Sequence, residues 1–315
     1  MKDKRTAYSR MLLIRHFEEA VERLFSEGRI VGTAHTCIGQ EAIAVGVAMA
    51  LGPKDALTST HRGHGHLIAR GQNPGRVMAE LFGRSTGYSH GRGGSQMMMD
   101  PSIGFYGTNG IVGASVAFAA GLALNAQMTK SGRVVATLFG DGASSQGIVF
   151  ETLNLASLWH LPLIAICENN GYAMSTPTKT GVSVPSVAVR AAGVGIPGES
   201  IDGNDIEAVY DTVAALAERA RKGDGPALLE CRTYRLSGHS RGDPRVYRTR
   251  EEENDAWTRE PIARFQKKLR EEGLLDDVSV AEEEAAAKAA IEEAIRFAEN
   301  SPMADVANVT EGVFA

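Results

Sequence analysis

The chain has 315 residues, 43% of them hydrophobic, with 33 Lys and Arg against 38 Asp and Glu for a formal charge of −5. That much apolar material excludes disorder as the main state, and the acidic balance argues against a nucleic-acid binder. No apolar run approaches the ~18 residues needed to span a bilayer, the N-terminus is polar, and the three cysteines are widely spaced. The expectation is a cytoplasmic protein with no membrane span and no disulfide framework.

In chain order, Met11, Ile14, Phe17, Val21, Leu24 and Phe25 recur at helical spacing, and Gly28 offers a stop, so a helix over about 3–28 is predicted. A second helix covers Glu41 to Leu51, and a short strand, Ala56-Leu57-Thr58, leads into a histidine-rich segment. Residues 84–110 are glycine-rich and irregular; a loop that long inside a compact domain is usually functional or disordered. Val134 to Phe139 reads as a strand, Ile148 to Trp159 as a helix and Leu163 to Cys167 as a strand. Continuous rather than alternating apolar strands suggest a parallel sheet buried on both faces. Asn204-Asp205-Ile206-Glu207 resembles a capping box opening a helix to about Lys222. Ala227 to Tyr234 is a further strand, Arg235 to Arg250 a polar loop, and about 251–300 a helical extension of two charged helices. With no internal repeat and no linker, residues 1–315 read as a single domain of α/β class. Its expected architecture is a parallel sheet flanked by helices.

The chemistry centres on Gly140-Asp141-Gly142 after one strand and Asn169-Asn170 after the next, with 26 residues between them. In a parallel sheet both motifs emerge at carboxyl strand ends, where α/β proteins bind ligands. The Asp141 carboxylate and the Asn170 amide oxygen are hard donors suited to magnesium. Gly142 allows close backbone approach, and the following helix offers free N–H groups for an anion. A metal beside an anion site points to a bound diphosphate.

Gly-Asp-Gly, this interval and Asn-Asn together resemble the thiamine-diphosphate fingerprint. Gly140-Asp141-Gly142-Ala143, Glu168-Asn169-Asn170-Gly171-Tyr172, Ser59-Thr60-His61-Arg62-Gly63-His64-Gly65-His66, Gly110-Ile111-Val112-Gly113-Ala114 and Tyr247-Arg248-Thr249-Arg250-Glu251-Glu252 resemble one branch of it. That branch is the α subunit of the first component of 2-oxo acid and acetoin dehydrogenase complexes. The resemblance implies Mg²⁺ on the side chains of Asp141 and Asn170 and the main-chain oxygen of Tyr172. It implies Arg62, beside His61, on the diphosphate, and Gly110 and Val112 on the aminopyrimidine. It also implies His64 facing the active site and His239 on a loop near the diphosphate and the reacting carbon. The activity implied is cleavage of a C–C bond next to a carbonyl in a small oxo or hydroxyketone substrate, with the cofactor as electron sink. The acyl fragment then passes to the lipoyl group of an acyltransferase. The carboxylate that activates the cofactor comes, in two-subunit relatives, from the β subunit, so this chain is expected to hold half a site in an α2β2 assembly.

Zinc on His61, His64 and His66 lacks a matching Cys/His pair. No P-loop and no Gly-x-Ser-x-Gly elbow occurs, and Gly91-Arg92-Gly93-Gly94 follows no strand, so it is no dinucleotide fingerprint. A transketolase-like carbon transfer and a non-catalytic subunit keeping the fold are the alternative functions. One departure stands out: where the family pattern has Met-His after Gly93-Gly94-Ser95, this chain has Gln96-Met97. The segment Ser240-Arg241-Gly242-Asp243-Pro244 likewise lacks the second serine of the pyruvate type.

Overall fold

The computed structural model describes residue 1 and residues 3–311. The first half contains α1 (Lys4–Ser26), α2 (Glu41–Ala50), β1 (Ala56–Thr58), α3 (His64–Ala69), α4 (Pro74–Leu81), α5 (Ala114–Met128) and β2 (Val135–Gly140). Then come α6 (Gly147–Leu158), β3 (Leu163–Asn169), β4 (Tyr172–Ala173), β5 (Thr176–Pro177), α7 (Thr178–Gly181), β6 (Gly198–Asp202), α8 (Ile206–Arg221) and β7 (Ala227–Arg232). The helices α9 (Arg250–Thr258), α10 (Pro261–Glu271) and α11 (Asp277–Asn300) follow. The C-terminal extension is thus three helices rather than two, because Pro261 takes the first position of α10 and ends α9 before it.

Five strands form one parallel sheet in the order β1-β2-β3-β7-β6. Successive residues of each strand enter opposite cores. Leu57, Ala136, Leu138, Ile164, Ile166 and Leu229 join the core under α1, α2, α8 and α11. Ala56, Val135, Phe139, Ala165, Cys167 and Leu228 join the core under α5 and α6. Both faces are covered, which is why these strands carry nearly continuous apolar runs, broken by the buried Thr137 and Glu230. The strand β6 lies at the sheet edge, half exposed and polar, and gives no such run.

Two local predictions shift. Asp205, not Asn204, caps α8, its carboxylate accepting from Glu207 N and Ala208 N at 3.0 and 3.2 Å. Asn204 instead ties the end of β7 to α9, bonding Thr233 and the Arg259 carbonyl. The helix expected from Ile148 to Trp159 runs one residue earlier, Gly147–Leu158, and a 3-10 turn, Gly142–Ser145, separates it from Asp141.

The long irregular segment has an organiser the periodicity does not reveal. Glu80, at the end of α4, is fully buried, and its carboxylate accepts the N–H groups of Ser89, Gly91, Gly93 and Gly94 at 2.7–3.2 Å. Gly87 lies against it so closely that a Cβ there would fall 2.3 Å from Glu80 Oε2. The loop is wrapped around one charge.

Candidate active site

Gly140 and Glu168 are register partners in neighbouring strands, so Asp141 and Asn170 emerge side by side at the carboxyl edge of the sheet. The segment after β7 reaches the same edge and brings Arg235 and His239. The segment after β1 brings His61 and Arg62. These pieces enclose a cavity of about 320 Å³, lined among others by His61, Arg62, Val112, Gly140, Asp141, Gly142, Ala143, Asn170, Tyr172 and His239. Of the predicted site residues only Gly110 and His64 do not line it. Gly110 lies one step outside, where a Cβ would meet Gln96 Oε1 at 3.1 Å.

The cavity has an acidic wall. Asp141 is 3% exposed and makes no ion pair among the described residues. Burial raises its pKa, while the hydroxyl of Thr178 donates to Oδ2 and opposes the shift. Asn170 takes the N–H of Tyr172 on Oδ1 at 3.3 Å and donates its Nδ2 to Gln40 Oε1 at 3.1 Å. The Tyr172 carbonyl accepts from Arg235 Nη1 at 3.2 Å. Gly142 is required by close approach: a Cβ would sit 2.6 Å from that of Ala173.

The basic lining residue Arg62 has no carboxylate partner among the described residues. Arg62 is 4% exposed; its Nη1 donates to the Thr36 carbonyl at 2.9 Å, and its Nη2 to the His239 carbonyl at 2.8 Å and to His239 Nδ1 at 3.1 Å. Burial, helped by nearby Arg235, pulls its pKa down to about 10. His35, His61 and His239 crowd beside it, with ring centroids 4.7–5.9 Å apart. Burial first, and the Arg62 charge second, hold their pKa values at about 3, 2 and 4. All three imidazoles are neutral at pH 7.

Although ring nitrogens of these three histidines lie within 4.8 Å of one another, their hydrogen bonds do not suit a cation. A guanidinium only donates, so His239 accepts at Nδ1 and carries its proton on Nε2. Gln96 Nε2 does the same to His35 Nδ1 at 3.3 Å. His61 Nε2 is buried and has no partner. Imidazole N–H groups beside an unpaired guanidinium make an anion cradle. A carboxylate without an ion pair among the described residues and a guanidinium without a carboxylate, lining one cavity, fit a polyanion bridged by a metal.

His64 does not line the cavity. It is fully buried in α3, its Nδ1 bonded to Glu18 Oε2 at 2.9 Å and its Nε2 to Ser95 Oγ at 3.0 Å. Helical geometry turns it inward against Phe17 rather than toward the cavity. His66 is likewise inside, between Ser59 and Glu168 at 2.8 and 3.2 Å. The histidine that does reach the cluster is His35, which sequence reasoning missed because it stands alone in a loop. Gln40 and Arg235 were missed too. A buried polar pair such as Gln40-Glu41 opening an otherwise apolar helix was the available signal for the first.

The pattern of the dehydrogenase E1 component family matches residues 9–307 of the chain, and the chain belongs to that family. It is an α/β, thiamine-diphosphate-dependent oxidoreductase component of the 2-oxo acid and acetoin dehydrogenase type. Among its relatives is the α subunit of acetoin:2,6-dichlorophenolindophenol oxidoreductase of Bacillus subtilis, 43% identical over 94% of this chain and 88% of the relative. The corresponding subunit of Cupriavidus necator is 46% identical over 79% of this chain and 75% of its own length. The pyruvate dehydrogenase E1 component subunit alpha of Zymomonas mobilis is 43% identical over 94% of this chain and 84% of the relative.

Proposed function

We propose that this chain is the α subunit of an acetoin- or pyruvate-type dehydrogenase, holding the diphosphate half of a site that a β subunit completes. The observation that carries the reading is that Asp141 and Asn170 line one cavity together with Arg62, His61 and His239. Asp141, Asn170 and the Tyr172 carbonyl would hold Mg²⁺. Arg62, His61 and His239 would hold the diphosphate, and Gly110 and Val112 would meet the aminopyrimidine through their main chains. Gly140, Gly142 and Ala143 would supply close backbone walls. Thiamine diphosphate held there would supply the electron sink for cleaving a bond beside a carbonyl, the acyl group passing to a lipoyl acceptor.

The chain's own residues orient that group, neutralise its charge and keep water from it. His239 Nε2–H is a neutral donor beside the reacting region. The remaining lining carboxylate, Glu168, is engaged by His66, so it is not free to activate the cofactor. The unfinished side of the site supports a partner. Ile111 and Val112 stand 69% and 50% exposed at the cavity, continuous with α5, and residues 101–129 contain no charged side chain. Phe118 and Met128 on α5 and Leu155 and Leu158 on α6 extend this apolar face. Patches of this kind mark protein interfaces, and an α2β2 assembly serving a lipoyl acyltransferase would cover it. Three buried free cysteines go with a cytoplasmic setting.

The test is turnover. The chain alone, given thiamine diphosphate, Mg²⁺ and acetoin or pyruvate, should not reduce an artificial acceptor dye, and the co-expressed α and β chains should. Full turnover by the isolated chain would overturn the half-site reading.

A further inference from the structure

Gln40 opens α2 and is 1% exposed, yet it lines the cavity beside Asn170. Its backbone is held rigidly: Gln40 N donates to the Cys37 carbonyl at 2.9 Å, and the next residue, Glu41, takes Gly39 N on both carboxylate oxygens and Arg15 Nε at 2.7 Å. The orientation of its amide follows by elimination. Tyr172 N–H can only donate, so the Asn170 atom facing it is Oδ1, and Nδ2 faces Gln40. A donor facing Gln40 requires Oε1 there. Turning the Gln40 amide over would set two NH₂ groups against each other. The consequence is that Gln40 Nε2, with two protons, is buried without a partner among the described residues. Buried donors left unmade cost free energy, so such a group is either a defect or awaits an acceptor.

We infer that Gln40 is a cofactor-binding residue with two edges in use. Its oxygen fixes the Asn170 amide so that Oδ1, the metal-ligating atom, is presented to the site, in the way outer partners orient metal ligands. Its Nε2 donates to an oxygen of the magnesium-bound diphosphate. The inference rests on the reading of the site as a magnesium–diphosphate centre and assigns it a donor that no sequence motif marked.

The test uses the full-length chain co-expressed with its β-type subunit, titrated calorimetrically with thiamine diphosphate plus Mg²⁺ and, separately, with inorganic pyrophosphate plus Mg²⁺. Gln40→Glu keeps an acceptor for Asn170 but removes the donor. Gln40→Met removes both edges at similar volume. Both variants should bind either ligand at least about tenfold more weakly, the size expected of a hydrogen bond to a charged group. Gln40→Met should also need more Mg²⁺ for half-saturation than Gln40→Glu. In both variants the midpoint rise caused by Mg²⁺ and pyrophosphate should shrink. A residue of merely structural importance would leave that rise intact, whatever its effect on the cofactor-free midpoint. Wild-type affinity in both variants overturns the inference. Should Gln40→Met fail to fold, Gln40→Glu, which retains the Asn170 bond, decides the donor role by itself. A wild-type protein that binds neither ligand would overturn the underlying reading of the site instead.

Discussion

Replacing Asp141 by asparagine separates the cost of the site from its use. The side chain is 3% exposed, lacks an ion-pair partner among the described residues, and has its pKa raised by burial. Asparagine keeps the volume and an oxygen to accept from Thr178, so the local packing survives. What is lost is one full negative charge at the metal position. A metal ligand should matter at least as much as the outer partners whose loss costs 10–100-fold, so binding of thiamine diphosphate with Mg²⁺ should weaken by about 100-fold or more, roughly 2.8 kcal/mol. The cofactor-free protein should move the other way. Removing an unpaired buried charge relieves about 1–3 kcal/mol, worth a rise of about 2–8 °C in thermal midpoint. Calorimetric titration reads the first arm and scanning calorimetry without ligand the second. Affinity within threefold of wild type, or a lowered cofactor-free midpoint, would refute the argument that this carboxylate is held buried for a cation.

Three other outcomes are expected. Arg62→Met removes the second-largest cause of the depressed pKa values of His35, His61 and His239. Their imidazole resonances, followed by nuclear magnetic resonance against pH, should titrate at higher pH than in wild type; unchanged titrations would contradict the assignment of that field to Arg62. Glu80→Gln turns one oxygen of the loop's buried anchor into an NH₂ that faces backbone donors. It should cost about 3 kcal/mol or more, a drop on the order of 5–10 °C in midpoint, and an unchanged melt would count against the anchor. His16 joins α1 to α11 through Glu284 at 2.7 Å, and its pKa is raised mainly by Glu19 and further by Glu284. A histidine with a raised folded pKa contributes stability that is complete below about 6.5 and lost as pH climbs through the folded value. The deficit of His16→Gln should therefore be larger at pH 6 than at pH 8.5, a few tenths to about 1 kcal/mol in denaturant unfolding, and a pH-independent deficit would remove the ionic explanation.

The one-dimensional pattern was sufficient for the sheet and for half the site because both are local in sequence. Val135–Gly140 and Leu163–Asn169 are buried on both faces, so they are apolar but for Thr137 and the polar end Glu168-Asn169. Residues at strand ends stand next to those runs, which makes Asp141 and Asn170, the proposed metal ligands, legible as cavity-lining residues. Close backbone approach likewise leaves glycine as its mark, as at Gly142. What contact between distant segments decides was not legible. His35, His61 and His239 come from three loops brought together by the sheet order. His64 has the motif's spacing, but one helical turn points it at Glu18 instead. The Glu80 anchor and the free edge of the Gln40 amide exist only once the loops close around them. Sequence by itself determined which elements form and which chemistry they bring to the strand ends. Tertiary structure decided which side chains share the cavity and in which hydrogen-bonding state, because buried polar groups are set by whatever partner folding places within reach.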